Sequence, residues 1–547
     1  MHSYKIDKKY AKPVAYFSME FAIHQPLKIY SGGLGFLAGS HMRSVFDLKQ
    51  NLVGVGILWK KGYYDQIRKE DGSLGTDFRI KYNNFLKDTG VKVTVPFLDR
   101  VITVKVWKLE SDTFETAPIL LMSTDTEEND AVSRAITDKL YDDDKVTRLA
   151  QYMVLGIGGG KALEALGFTP DIYHMNEAHP LPVAFWLLKK FNNDFEEVKK
   201  RLIFTTHTPE DAGNERNDFE MIKETGYLSG VDPEVIAHLW KQKGEKMFNQ
   251  TLVALRLAKK SNAVSKIHGD VSREMWKNAD NICEISHITN AQNKRYWADP
   301  VLEQALQTND DALLMARKRE LKIALFKEVE DQTGKVLDPD ALTIVWARRF
   351  AEYKRADLIL SDLKRFRKIA LKSKRPVQVI WAGKPYPLHW EAIDTFNEIH
   401  QKTLDIPNCT ILIGYELRLS RLMKQGSDMW LNNPRYSREA SGTSGMTAAM
   451  NASVNFSIAD GWVPEFAKDG ENCFVVPHLD HHLPHKVQDK HDVKAMYDIL
   501  EKTIVPIYYE KPEEWVKIVK QSMTDVAPAF DSSRMADEYY AKMYHAQ

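Results

Sequence analysis

Residues 435–465 read RYSREASGTSGMTAAMNASVNFSIADGWVPE, and the order of local signals in this stretch decides the fold. Asn432, Asn433, Pro434 and Arg435 form a turn ahead of it. From Glu439 to Gly445 the residues are small, which lets backbone approach a ligand closely. Met446 to Met450 is a good helix start, so the loop amides and the helix N-terminus converge on one spot that attracts anions. Val454 to Ile458 then reads as a short buried strand, ended by the turn pair Asp460-Gly461. Loop, helix and buried strand in that order make one step of an α/β fold. A Gly/Ser loop alone fits an ordinary tight helix entry equally well. Glu439 in front of it adds a carboxylate that can orient sugar hydroxyls beside an anion.

The pattern continues on both sides. Ala341 to Phe350 (ALTIVWARRF), Val377 to Pro385 and Cys409 to Ile413 are strand-like runs separated by helical stretches, which implies a parallel sheet. In the first half, Val14 to Phe21 is a strand, Ile29 to Ser40 (IYSGGLGFLAGS) a glycine-rich turn, and His41 to about Lys49 a helix. Asp171 to Pro180 (DIYHMNEAHP) and Arg201 to Pro209 (RLIFTTHTP) each place polar residues at a strand's carboxyl end, where open α/β sheets bind ligands. Asn176, His179 and His207 stand there. Residues 75–125 alternate apolar and polar and predict a β-hairpin-rich insertion. The run Gly156 to Lys161 (GIGGGK) lacks the spacing and the Ser or Thr of a P-loop, and is expected to pack a helix closely against neighbouring backbone. Asp299 to about Asp340 is helical and highly charged, a plausible hinge between halves.

The 547 residues are enough for two or three domains with large cores. Lys+Arg and Asp+Glu both number 75, so no charge excess favours nucleic acid or an anionic membrane. Three scattered cysteines argue against a disulfide framework and against a zinc site. No apolar run of signal-peptide or membrane-spanning length occurs, and the expected location is the cytoplasm.

The motif EASGTSGMTAAMN resembles the signature of the α-glucan (glycogen, starch, maltodextrin) phosphorylases, especially their short bacterial and archaeal branch. YFSMEF with the glycine loop, the two strand-end motifs, Ser261 to Trp276, Ile288 to Trp297, and ARRFAEYKR follow the family's order, so the resemblance runs from about Tyr16 to Val476. It implies two Rossmann-like domains facing a cleft, the GT-B glycosyltransferase arrangement. The expected domains are residues 1–305, with the β-rich insertion, and 306–547, with the last helices crossing back to the first domain. It implies catalytic roles for His207, Arg349, Lys354 and Glu439: His207 against the reacting glucosyl unit, Arg349 and Lys354 on phosphate. Gly32, Gly33 and Leu34 would contact phosphate. Asn176, His179, Asn290, Ser441, Gly442 and Thr443 complete the expected binding set. After Asn290 the family usually has glycine, valine and histidine, where this chain has Ala291, Gln292 and Asn293.

One position departs more sharply. In the family a lysine follows the methionine and holds pyridoxal phosphate as a Schiff base; here Thr447 stands there. Threonine forms no imine, so covalent pyridoxal phosphate is not expected and the cofactor is left unassigned. Three readings stay open: a phosphorylase-like enzyme, a glycosyltransferase taking a nucleotide-diphosphate sugar, and a non-catalytic glucan-binding relative. The expected partners are α-1,4-glucan or maltodextrin with phosphate or a phosphosugar, with no nucleic acid, membrane or metal. A homo-oligomer is left open.

Overall fold

The computed structural model describes residues 1–242 and 246–545. The chain divides into two compact units.

The first unit comprises Met1–Tyr64, Phe78–Asn290 and Ser532–Gln547. Its nine-stranded sheet runs, edge to edge, Ile285–His287, Lys260–Ala263, Leu202–Thr205, Ile172–Asn176, Val14–Phe17, Leu52–Ile57, Ile119–Ser123, Arg100–Leu109 and Lys87–Phe97. Strands up to Ile119–Ser123 pair in parallel. The central ones are continuous apolar runs buried on both faces, as parallel strands between helices must be. The last two pair antiparallel as a hairpin, so the alternating stretch extends the main sheet at one edge. The run GIGGGK winds through one wider, π-type turn, Val154–Gly158, between two α-helical segments. A Cβ on Gly159 would lie 2.5 Å from Val55, and one on Gly160 2.7 Å from Trp186, so these glycines let the helix press onto the sheet and onto its neighbouring helix.

Residues beyond 531 belong to this first unit. Ser532 Oγ and Ser44 Oγ lie 2.5 Å apart, Asn262 Nδ2 donates to Tyr539 Oη at 3.2 Å, and Tyr544 Oη meets His174 Nδ1 at 2.6 Å.

The second unit comprises Asp65–Asp77 and Ala291–Asp531. Its six strands are all parallel, in the order Cys409–Leu412, Val377–Ala382, Leu342–Ala347, Met429–Asn432, Val454–Ile458, Cys473–Val476. Counted along the chain this is 3-2-1-4-5-6, the Rossmann order, with its switch point between Leu342–Ala347 and Met429–Asn432. Sequence order hid one member. The hairpin Asp65–Asp77 joins this unit, where Gln66 Nε2 donates to Gly383 O at 2.8 Å and Gln66 Oε1 accepts the amide of Gly414 at 2.9 Å. The long helix Asp311–Thr333 is capped by Asp310, whose carboxylate accepts the Leu313 amide, and stops at Gly334 with φ 69°. Among the described residues no helix is long and apolar enough to cross a membrane.

Candidate active site

The second unit's switch point gathers three charged side chains, Arg348, Lys354 and Glu439, with the neutral amide of Asn432. Arg348 follows the strand Leu342–Ala347 directly; Asn432 ends Met429–Asn432; Lys354 sits on a short 3₁₀ turn, Glu352–Lys354. Lys354 Nζ donates to both carboxylate oxygens of Glu439, at 3.1 and 2.9 Å. Arg348 Nη1 donates to Glu439 Oε2 at 3.0 Å and to Asn432 Oδ1. The three residues are 6–7% exposed, so these are buried charges. Two cations therefore share one carboxylate, an excess of one positive charge. Burial alone would raise the Glu439 carboxyl, but Lys354 and Arg348 outweigh it and hold it down at about 2. Burial, with the repulsion of Arg348, pulls Lys354 down to about 8 despite Glu439. The cations set the Glu439 shift, whereas burial leads the Lys354 shift and the second cation adds to it.

The loop behind Glu439 is clasped from below. Asp460 accepts the amides of Glu439 at 2.9 Å and Gly461 at 2.8 Å, and Trp462 N donates to Ser441 O at 3.0 Å. A Cβ on Gly461 would fall 2.3 Å from Ser441 O, so this turn admits glycine alone, at φ 60°. Burial lifts the Asp460 carboxyl to about 7 against the pull of those amides. Arg348 Nε, and Ser441 Oγ two residues after Glu439, are buried without a protein partner. Gly442 takes φ 85°, and Thr443 caps the helix Ser444–Ala449 without a side-chain bond.

The first unit holds a second cluster. His207 Nε2 donates to Asn176 Oδ1 at 2.7 Å, and Asn176 Nδ2 donates to Ser18 Oγ at 3.2 Å. Glu177 accepts the His207 amide at 2.8 Å and the Thr208 hydroxyl at 3.2 Å. Burial keeps His207 neutral, at about 3, and His179 at about 4. His179 Nδ1 and Asn290 Oδ1 are buried without protein partners, so each has a polar atom available to a ligand.

The glycine loop differs from expectation. Its first two amides are already occupied, because Glu20 accepts the amides of Ser31 at 2.7 Å and Gly32 at 3.1 Å, with Tyr141 Oη at 2.7 Å. An internal carboxylate sits where the sequence places phosphate at Gly32. Gly33 and Leu34 open the helix Gly33–Asp47, and a Cβ on Gly33 would meet nothing within 4 Å.

Arg349 sits at the rim of the Glu439 cluster, where its charge acts on Lys354. It is exposed and lies by Tyr353, whereas its neighbour Arg348 takes the Glu439 contact. Arg348, Asn432, Asp460, Glu20 and Glu177 were all visible in quoted motifs yet unassigned.

Glu177 yields a pH test. Burial raises its carboxyl from 4.5 to about 7, so its protonated form is favoured in the folded protein. The stability this lends is full below pH 4.5 and is lost as pH rises toward 7. Glu177→Gln keeps the neutral form throughout. The stability of the variant relative to wild type should therefore grow by about 2–3 kcal/mol between pH 5 and pH 8. A difference in melting that stays flat with pH would show that Glu177 does not titrate there.

A family model described as carbohydrate phosphorylase matches residues 272–499. The maltodextrin phosphorylase of Thermococcus litoralis is 31% identical, covering 98% of this chain and 71% of the relative. The glycogen phosphorylase of Aquifex aeolicus is 32% identical, covering 99% and 87%. This chain belongs to the carbohydrate phosphorylase family. An uncharacterised protein of Methanocaldococcus jannaschii is 46% identical over 97% of this chain and all of the relative.

For a carbohydrate phosphorylase the resemblance implies pyridoxal phosphate, and the residues present do not fit its covalent attachment. Thr447 is fully buried, its hydroxyl donates to Ser444 O at 3.0 Å, and its carbonyl accepts Asn451 Nδ2 at 2.7 Å. Its helix, Ser444–Ala449, carries no amine side chain.

Proposed function

We propose that this chain catalyses retaining glucosyl transfer between an α-1,4-glucan and phosphate, forming or consuming glucose 1-phosphate. The observation that carries the reading is the buried pair of cations on Glu439. Phosphate supplies the missing anion, and arginine and lysine both hold phosphate oxygens through charge-assisted hydrogen bonds. Glu439, kept ionised, orients sugar hydroxyls. In phosphorolysis the bond from the anomeric carbon to the glycosidic oxygen breaks, a bond to a phosphate oxygen forms on the same face, and the phosphate's proton goes to the departing oxygen. Neutral His207, its ring fixed by Asn176, is assigned to the glucosyl unit. No paired hydrolytic carboxylates are needed.

Glucose 1-phosphate and nucleotide-diphosphate glucose, offered side by side with maltodextrin, test the reading. Chain extension from glucose 1-phosphate with release of phosphate supports it. Extension from the nucleotide sugar alone replaces it with the second reading, which the buried threonine at position 447 favours because that reading needs no pyridoxal phosphate.

Lys354→Ala leaves Arg348 and Glu439 as a matched pair and removes the excess charge. Phosphate or glucose 1-phosphate affinity, read by calorimetry, should fall by about 1.5–3 kcal/mol. Arg349→Ala, at an exposed position, should cost less. An equal loss would show that Arg349 turns inward on the ligand, and no loss in Lys354→Ala would remove phosphate from this cluster.

A further inference from the structure

The loop between the strand Cys473–Val476 and the helix His485–Ile499 reads PHLDHHLPH from Pro477 to His485, four histidines in nine residues. The proposed transfer reaction uses none of them. Asp480, His481 and His482 each offer one ligand atom, all within 4.8 Å of one another, and all three side chains are exposed. Among the described residues this is the one cluster of three such groups. The two imidazole rings lie 3.9 Å apart, and His481 Nδ1 is 3.9 Å from Asp480 Oδ1.

The turn beneath them is anchored. The buried amide of Gln488 donates to His481 O at 3.1 Å and to Leu483 O at 2.7 Å, and the His482 amide donates to Asp480 Oδ1 at 2.9 Å. His478 stacks on Tyr436 at 3.6 Å and 11°, so the loop also rests on the segment leading to Glu439.

We propose that Asp480, His481 and His482 bind one borderline divalent transition-metal ion of the zinc type. Two imidazoles and one carboxylate suit such an ion better than calcium or magnesium, which prefer all-oxygen shells. Three protein ligands leave a fourth tetrahedral position for water. Exposure supplies the entry path, and the Gln488 anchor spares much of the ordering that a loose histidine tract would need on binding.

Titration of the metal-free full-length protein with zinc ions, read by calorimetry, tests this. Wild type should bind one ion tightly, and His481→Ala/His482→Ala should weaken that event at least tenfold. His389→Ala, an exposed histidine elsewhere in the same unit, should leave it unchanged. Equal binding by wild type and the double variant, or no one-to-one event in wild type, overturns the proposal. The altered side chains are exposed, so the variants should fold as wild type does, and an unchanged circular dichroism spectrum checks this.

Discussion

Replacing Glu439 by glutamine should destabilise the second unit by about 3–5 kcal/mol, because removing one partner strands the others as buried, unbalanced charges. In wild type Lys354 and Arg348 share that carboxylate, and all three side chains are nearly excluded from solvent. The amide still offers an oxygen acceptor, but the cluster's excess charge rises from one to two. The variant should melt early in chemical denaturation. Adding Lys354→Met should restore part of the loss, since one cation then meets a neutral acceptor instead of two. The pH dependence has a definite sign. Glu439 is held down at about 2, so its contribution is present above its ordinary value of 4.5 and is lost as pH falls toward 2. A Glu439→Gln protein as stable as wild type would show the charges to be solvated after all. Turnover should collapse as well, so activity must be compared per folded molecule.

The second large effect is expected at Thr447. Thr447→Lys extends the side chain beyond the γ position by two methylenes and an ammonium at a position with no exposed surface, where the carbonyl and hydroxyl are already hydrogen-bonded. Overpacking costs about 1–3 kcal/mol, and an unpaired buried charge adds several more. The variant should be destabilised by about 3 kcal/mol or more, and added pyridoxal phosphate should give no borohydride-reducible adduct at this segment. Thr447→Val, which loses one hydroxyl bonded to a helix carbonyl, should cost only about 1 kcal/mol. A stable lysine variant that takes up the cofactor would mean that the threonine's surroundings open to admit it.

Met429–Asn432 and Cys473–Val476 were missed as strands, but the Rossmann-like character of the second unit was legible from its other four, which are buried and largely apolar. The choice between Arg348 and Arg349 was not. Successive side chains on a strand point to opposite faces, and at Ala347 the strand ends, so the parity that would pick one arginine is lost. The glycine loop read as an open anion cradle because Glu20, eleven residues before Ser31, gives no local sign that it folds back onto the loop. Asp460 read as a turn residue, which it is, and its two accepted amides appear only when the loop at Glu439 is laid over it. The hairpin Asp65–Asp77 gave no sign of its unit, since its partners lie more than three hundred residues away in sequence.

The placement of the residues beyond 531 bears on how the protein is made. Tyr539 and Tyr544 complete the polar core around His174, Thr205 and Asn262, in the unit whose first strand is Val14–Phe17. On the ribosome the first unit therefore cannot be completed before the second is translated, although the domain translated first usually matures first. The six-stranded sheet has all its strands by Val476, while the nine-stranded one waits for side chains translated more than two hundred residues after its own last strand. During that interval His174 and Thr205 lack their tyrosine partners.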